Sequence, residues 1–407
     1  MRIIGHFLVV AFFLTGLFWS FNLRDPHLLP IRGYELFLLN VLWILAILIA
    51  MKIQAGYRYM LLPSVVIILL IINLSVYQYR LQKTAVLNQP TQQQRTMNQR
   101  LVIGFKDLDE IRKLSLNGIA GIFITRRNIE GKTSAEVRDF ILQLQTARKQ
   151  AGLPSLIVAT DQEGGPVSRL SPLVESQPAL STLLDNAQPA KDAFVYGDTQ
   201  GAALQDLGIT VNFSPVVDLK PDKAPAAMDF HTLINIRAIS AEPPAVISIA
   251  LPYIKGLEKH GINATLKHFP GLGRVSTDTH HFSAHLDTPV DQLIKIDWQP
   301  FIQLTRQTGS WIMLSHVILS AVDAENPVST SNAVVNDIIR NKLGFKGTLI
   351  TDDLTMGATY NRGFCKSVQS AYGAGINYLL ISYDHEKYYD AIGCLTDSFQ
   401  DAVTSTN

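Results

Sequence analysis

Leu156-Ile157-Val158-Ala159-Thr160-Asp161-Gln162-Glu163-Gly164-Gly165 is an uncharged run that ends in carboxylates and then in two glycines. An apolar run of this length without polar alternation suits a strand buried on both faces, as in a parallel sheet. Asp161 then emerges where the strand stops, and the glycine pair lets the backbone turn sharply beside a ligand. Alone, the segment could equally be a glycine turn with solvated charges. Seven further runs share its texture: Leu101–Phe105, Gly121–Thr125, Thr210–Leu219, Ala264–Phe269, Trp311–His316, Thr348–Asp352 and Tyr378–Ser382. They alternate with helical patterns, which predicts parallel βα units. Eight such units close a barrel. The expected fold class is therefore α/β, a (β/α)8 TIM-type barrel over residues 101–407, with its site at the C-terminal ends of the strands.

The first eighty residues read differently. Ile3–Leu23, Leu36–Met51 and Tyr59–Tyr79 are apolar runs with almost no formal charge. A bilayer-crossing helix needs about 20 apolar residues, so residues 1–80 read as a bundle of two to three transmembrane helices. A cleaved signal peptide would account for the first run alone. Trp19, Trp43, Tyr34, Tyr57, Tyr59, Tyr77 and Tyr79 lie mostly near the run ends, as interfacial anchors do. The expectation is a multi-pass membrane protein, and basic residues are too evenly spread between the loops to say which side the barrel faces. Residues 81–100, rich in Gln and holding Pro90, read as an extended linker.

Composition narrows the function. The 407 residues carry 35 Lys and Arg against 34 Asp and Glu, so no basic field points to nucleic acid. Cys365 and Cys394 make neither a disulfide framework nor a zinc spacing, and read as two unpaired residues that could pair in an oxidising compartment. Gly271-Leu272-Gly273 matches only the start of a dinucleotide loop and follows Pro270 rather than opening a helix, and no phosphate loop is present. No cofactor is expected.

The chemistry gathers at strand ends. Lys267-His268-Phe269-Pro270-Gly271 closes an apolar strand with a cation and an imidazole. A buried ammonium is costly without a partner, so Lys267 is either neutralised by a core carboxylate or placed to donate to ligand oxygens. Asp278-Thr279-His280-His281 follows on a glycine-tethered loop. There a carboxylate two residues from an imidazole can fix its tautomer and raise its basicity. Asp278, His280, His281 and His285 could also suggest a metal, but the spacing is weak and no metal is expected. Asp352 and Asp353 end another strand. Two such carboxylates cannot both be buried and ionised cheaply, so one should face the pocket while the other pairs or caps. A strand-end Asp suits attack on an anomeric carbon.

Taken in order, Asp161-Gln162-Glu163-Gly164-Gly165, Asn212-Phe213-Ser214-Pro215-Val216-Val217-Asp218, Ile236-Arg237-Ala238, Lys267-His268-Phe269-Pro270-Gly271, Asp278-Thr279-His280, Met313-Leu314-Ser315-His316 and Leu343–Asp353 resemble glycoside hydrolase family 3, in its single-domain β-N-acetylhexosaminidase branch. The resemblance implies Asp352 as nucleophile, His280 as acid/base with Asp278 as its partner, and Asp161, Arg169, Arg237, Lys267 and His268 as sugar-binding residues. It implies a carbohydrate substrate, an N-acetylglucosaminyl glycoside of peptidoglycan type. Little chain follows Asp352, so the acid/base is expected from a barrel loop. Leu272, Pro166 and Asn377 depart from the family's common His, Arg and Asp at those positions, which bears on subsite contacts. Two rival readings remain open here: a phosphorylase, since a histidine acid/base tolerates phosphate as acceptor, and a membrane-anchored sugar sensor without turnover.

Overall fold

The computed structural model describes residues 14–20, 23–51, 55–221, 232–275, 277–278 and 281–405. The chain divides into two compact units, Met1–Gln89 and Pro90–Asn407.

The second unit is the barrel. Its strands are β1 Leu101–Ile103, β2 Gly121–Phe123, β3 Ile157–Thr160, β4 Val211–Asn212, β5 Asn263–Phe269, β6 Trp311–Leu314, β7 Leu349–Asp353 and β8 Tyr378–Ile381. They close in the order β1-β8-β7-β6-β5-β4-β3-β2. Every neighbouring pair is parallel, for example Gly121↔Ile157, Thr265↔Trp311 and Leu101↔Leu379. All eight apolar runs thus contain a barrel strand. The run Thr210–Leu219 is shortened most, to Val211–Asn212. Pro215 has no N–H for the ladder; beyond it the pairing with β5 continues as the isolated bridge Val216↔Lys267, with Thr265 N–H donating to the Ser214 carbonyl at 3.0 Å and Val217 N–H to the Lys267 carbonyl at 2.9 Å. Val102, Phe123, Val211, Phe213, Trp311, Met313, Ile350 and Leu380 belong to one buried cluster. Phe123 stacks on Phe213 with centroids 5.6 Å apart, and Trp311 on Tyr378 at 5.3 Å. Each such side chain contributes roughly 1.5–3 kcal/mol by burial.

Two outer helices pack closely against each other. In the helices Pro189–Leu207 and Pro243–Glu258, Gly197 lies against the Tyr253 carbonyl, and Gly256 against the backbone of Phe194 and Asp198. A Cβ at either glycine would collide with backbone. This close approach carries the Tyr253 hydroxyl to 2.6 Å from Gln200 Oε1 and 3.0 Å from Ser214 Oγ, and Asn212 Nδ2 lies 3.2 Å from it. Asn212 in turn accepts the Gln162 N–H at 2.9 Å and donates to the Gln162 carbonyl at 2.9 Å.

Residues 81–100 are not extended. Helix Ala55–Asn88 runs through the first part, and Gln92–Asn98 forms a separate helix. A capping box starts the latter: Thr91 Oγ1 accepts the Gln94 N–H at 3.2 Å, and Gln94 Oε1 accepts the Thr91 N–H at 3.0 Å. Asn98 is buried, its Oδ1 accepting the Tyr388 hydroxyl at 2.8 Å. A second correction concerns the cysteines. Cys365 of helix Phe364–Gly373 and Cys394 of helix Lys387–Ser405 form a disulfide, with Cα atoms 5.2 Å apart. They stand 29 positions apart in the sequence, and the packing of the two helices brings them together.

In the first unit, helix Glu35–Met51 packs on helix Ala55–Asn88 around Trp43, Ala46, Val65 and Ile72. Among the described residues one span, Pro63–Asn88, is long and apolar enough to cross a membrane, and Glu35–Leu48 is a shorter apolar helix. The expected span Ile3–Leu23 lies mostly outside the described residues. Trp43 is no interfacial anchor: it is fully buried, and its Nε1 donates to Ser20 Oγ at 2.9 Å.

Candidate active site

A cluster of charges joins the mouth ends of β3 and β5. Lys267, near the end of β5, is 2% exposed; its Nζ donates to Asp161 Oδ1 at 2.6 Å and to Glu163 Oε1 at 2.7 Å. Glu163 sits in a short antiparallel pair, Gln162–Gly164 with Val167–Ser168, that follows β3. Gly164 turns that pair at φ +92°, where a side chain would be strained and would strike the Tyr196 hydroxyl. Arg237 grips Glu163 with both ends of its fork, Nη2 to Oε1 at 2.7 Å and Nε to Oε2 at 2.9 Å. Burial alone would push the Glu163 carboxyl up, but Arg237 and Lys267 outweigh it and hold the group at about 2. Burial would likewise lower the Arg237 guanidinium, and Glu163 reverses that and raises it.

His268 is oriented from both sides. Its Nδ1 lies 2.7 Å from Asp218 Oδ2, and its Nε2 lies 3.3 Å from Arg237 Nη2. Arg237 can only donate, so Nε2 accepts and the ring proton on Nδ1 faces Asp218. Asp218 is fully buried and also accepts the His268 and Leu272 N–H groups, at 3.0 and 2.8 Å. Leu272 is buried.

At the end of β7 the two carboxylates divide. Asp353 is buried and accepts five hydrogen bonds: from Thr355 N–H and Oγ1 at 2.9 and 2.8 Å, from Ser382 N–H and Oγ at 3.1 and 2.6 Å, and from Tyr383 N–H at 2.5 Å. Asp352 is half-buried, and its Oδ1 accepts the Asp353 N–H at 2.8 Å. The like-charge conflict is resolved by environment, with one carboxylate locked into the loop after β8.

The remaining expected residues fall in different places. Asp278 is buried. His280 lies outside the described residues, so the Asp278–His280 dyad has no geometry here. Arg169 is exposed beyond the antiparallel pair, its N–H donating to the Asp161 carbonyl at 3.0 Å. Asn377 lies at the opposite end of the barrel, where its Oδ1 accepts the Leu349 N–H at 2.9 Å and Arg340 Nη2 at 3.0 Å, away from the mouth. His285 is exposed on a short strand with Nδ1 3.3 Å from Ser320 Oγ. Among the described residues no three metal-binding side chains come together. Sequence reasoning gave no role to Glu163 or Asp218, although both stand in quoted motifs. The available signal was a buried-type Lys and His on β5, each of which needs a carboxylate.

A parallel barrel with strand-end carboxylates and an ion-paired cation cluster is the architecture of many sugar-cleaving enzymes. The sequence model of the Glycosyl hydrolase family 3 N terminal domain matches residues 91–403, and the chain belongs to that family. It is a glycoside hydrolase acting on O-glycosyl bonds. It is 31% identical over 293 residues to a beta-hexosaminidase of Nitrosomonas eutropha, covering 70% of this chain and 80% of that one. It is also 31% identical over 283 residues to a Haemophilus influenzae beta-hexosaminidase, covering 68% and 77%. Among solved structures it resembles a family 3 beta-N-acetylglucosaminidase from a Paenibacillus strain, with TM-score 0.69 and 28% identity over 77% of this chain. It spans only 59% of that protein. Native NagZ from Neisseria gonorrhoeae aligns with TM-score 0.62 and 27% identity, over 74% of this chain and 84% of that one.

Proposed function

We propose that the barrel is a retaining β-N-acetylhexosaminidase that removes terminal N-acetylglucosaminyl residues from peptidoglycan-type β-glycosides. The observation that carries this reading is the division of labour at the end of β7, where Asp353 is consumed by five donors and Asp352 is left half-buried. Asp352 attacks the anomeric carbon while protonated His280 gives its proton to the leaving oxygen. A covalent glycosyl-enzyme forms. Neutral His280, held by Asp278, then activates water, and configuration is retained. An imidazole titrating at about 6.5 can serve both steps near neutrality. It also spares an anionic muramyl sugar the repulsion of a carboxylate base. Lys267, Arg237, Asp161, His268 and Arg169 bind the sugar's hydroxyls and N-acetyl region. The beta-hexosaminidase and beta-N-acetylglucosaminidase names of the relatives support the substrate class.

In the test, Asp352→Ala abolishes hydrolysis of an aryl N-acetyl-β-glucosaminide, and proton NMR of the wild-type reaction shows the β-anomer first. An α-anomer, or a near-wild-type Asp352→Ala, refutes the mechanism. Appearance of sugar 1-phosphate that depends on added phosphate replaces it with the phosphorylase reading.

The chain is further proposed to be membrane-attached, through two to three N-terminal helices including Pro63–Asn88, with its barrel on an oxidising face. The Cys365–Cys394 pair supports that side, since disulfides persist outside the reducing cytosol. On that face the glycan available is the cell wall itself rather than imported fragments. An alkaline-phosphatase or fluorescent-protein fusion after Asn407 reads the side directly; a cytoplasmic result overturns it.

A further inference from the structure

We propose that His316 is a positioning residue for the nucleophile, acting through the Asp353 backbone; the inference rests on the reading of Asp352 as nucleophile. His316 is completely buried just beyond β6. Its Nε2 lies 2.8 Å from the Asp353 carbonyl oxygen, and its Nδ1 lies 2.7 Å from Ser329 Oγ. A carbonyl only accepts, so Nε2 carries the hydrogen, and the Ser329 hydroxyl can donate to Nδ1 and so fix that tautomer. Ser329 is itself held, its N–H donating to the Ser315 carbonyl at 3.1 Å.

The chain of contact is short. The Asp353 carbonyl takes the imidazole of His316 and the Met356 N–H, the latter at 3.0 Å. The Asp353 carboxylate takes its five donors. With carbonyl and side chain both fixed, the remaining polar group of that residue, its N–H, is aimed, and it donates to Asp352 Oδ1 at 2.8 Å. His316 therefore sets the direction from which the nucleophile's carboxylate is held, without touching substrate. A displacement of about 1 Å in a reacting group can cost on the order of a hundredfold in rate.

The test uses two amides that mimic different ring nitrogens. The glutamine amide reaches the place of Nε2, and the asparagine amide only that of Nδ1. On an aryl N-acetyl-β-glucosaminide, the full-length His316→Asn should lose about tenfold to hundredfold in kcat, with KM changed by less than about twofold. His316→Gln should stay within about threefold of wild type, and the pH profile of kcat/KM should keep both limbs in each variant. Equal activity of His316→Asn and wild type overturns the proposal. So does a His316→Gln variant as inactive as His316→Asn with one limb of the profile missing, because the ring would then be transferring protons. If circular dichroism shows His316→Asn unfolded, Ser329→Ala decides: it should lower kcat severalfold without changing KM, and a wild-type kcat overturns the idea. Asp352→Ala run alongside separates the two claims: activity in that variant sinks the nucleophile reading and this proposal with it, whereas an inactive Asp352→Ala beside a wild-type His316→Asn overturns the proposal alone.

Discussion

Replacing Glu163 with glutamine tests the charge cluster most directly. The substitution keeps shape and removes one negative charge from a site where Lys267 is 2% exposed and the Arg237 side chain 8%. Arg237 loses its two-pronged partner and keeps the Thr232 carbonyl at 2.8 Å and the His268 ring. Lys267 keeps Asp161, and the two cations must share the single amide oxygen that remains. The new amide must also turn an N–H toward groups that only donate. Breaking one side of a buried pair costs about 3–5 kcal/mol, because a charge stays buried without compensation. For a unit of roughly 320 residues, unfolding entropy of about 2.1 cal/mol/K per residue turns ~4 kcal/mol into a Tm lower by ~6 °C. The pH dependence has a definite sign. The folded-state Glu163 carboxyl is depressed to about 2, so its stabilisation is present above its unfolded pKa of about 4.3 and is lost as pH falls through 2. Thermal melts of wild type and Glu163→Gln, followed by circular dichroism, should therefore differ fully at pH 6 and converge as pH drops from about 4.5 toward 2. A variant that melts within about 1 °C of wild type at pH 6 refutes the cluster's role, and a gap independent of pH refutes its electrostatic origin.

Other outcomes follow from single contacts. Arg169→Ala, altering an exposed side chain, should raise KM about threefold to tenfold while kcat and Tm stay unchanged, as steady-state kinetics and a melt will show. Asp353→Asn places an amide N–H among five donors and should destabilise the barrel by about 2–4 kcal/mol, read as a urea midpoint shift. Reducing Cys365–Cys394 should cost about 3–4 kcal/mol for a loop of this length, lowering Tm by ~5 °C in dithiothreitol; Cys394→Ser should show the lower Tm with or without reductant.

How much of this could be read beforehand depended on whether the signal was local. Each barrel strand announced itself as an apolar run, and apart from Thr210–Leu219, which overshot its strand, the runs stopped near the mouth. That placed Asp161, Lys267, His268 and Asp352 at or near strand ends from the sequence alone. The partner choices were not local. Glu163, Arg237 and Lys267 come from three separate loops and strands, and only closure of the barrel makes them one cluster. Cys365 and Cys394 meet for the same kind of reason, through the packing of two late helices. The Gln-rich stretch failed differently. It has no apolar periodicity to mark a helix, yet Thr91 and Gln94 stood at capping-box spacing and would have revealed the start of Gln92–Asn98. Trp43 looked like an interfacial anchor because composition does not say which face of a helix meets its neighbour.

The glycine contact between helices Pro189–Leu207 and Pro243–Glu258 makes the outer wall part of the mouth's mechanics. Tyr253 is borne on one of those helices and Gln200 on the other, and through Asn212 both reach the backbone of Gln162, one residue from Asp161 and one from Glu163. Wedging the helices apart with a methyl group at Gly197 or Gly256 would tilt a lever whose far arm is the loop holding Asp161 and Glu163. The geometry of that loop is therefore open to adjustment from the barrel's periphery, by residues on its outer helices.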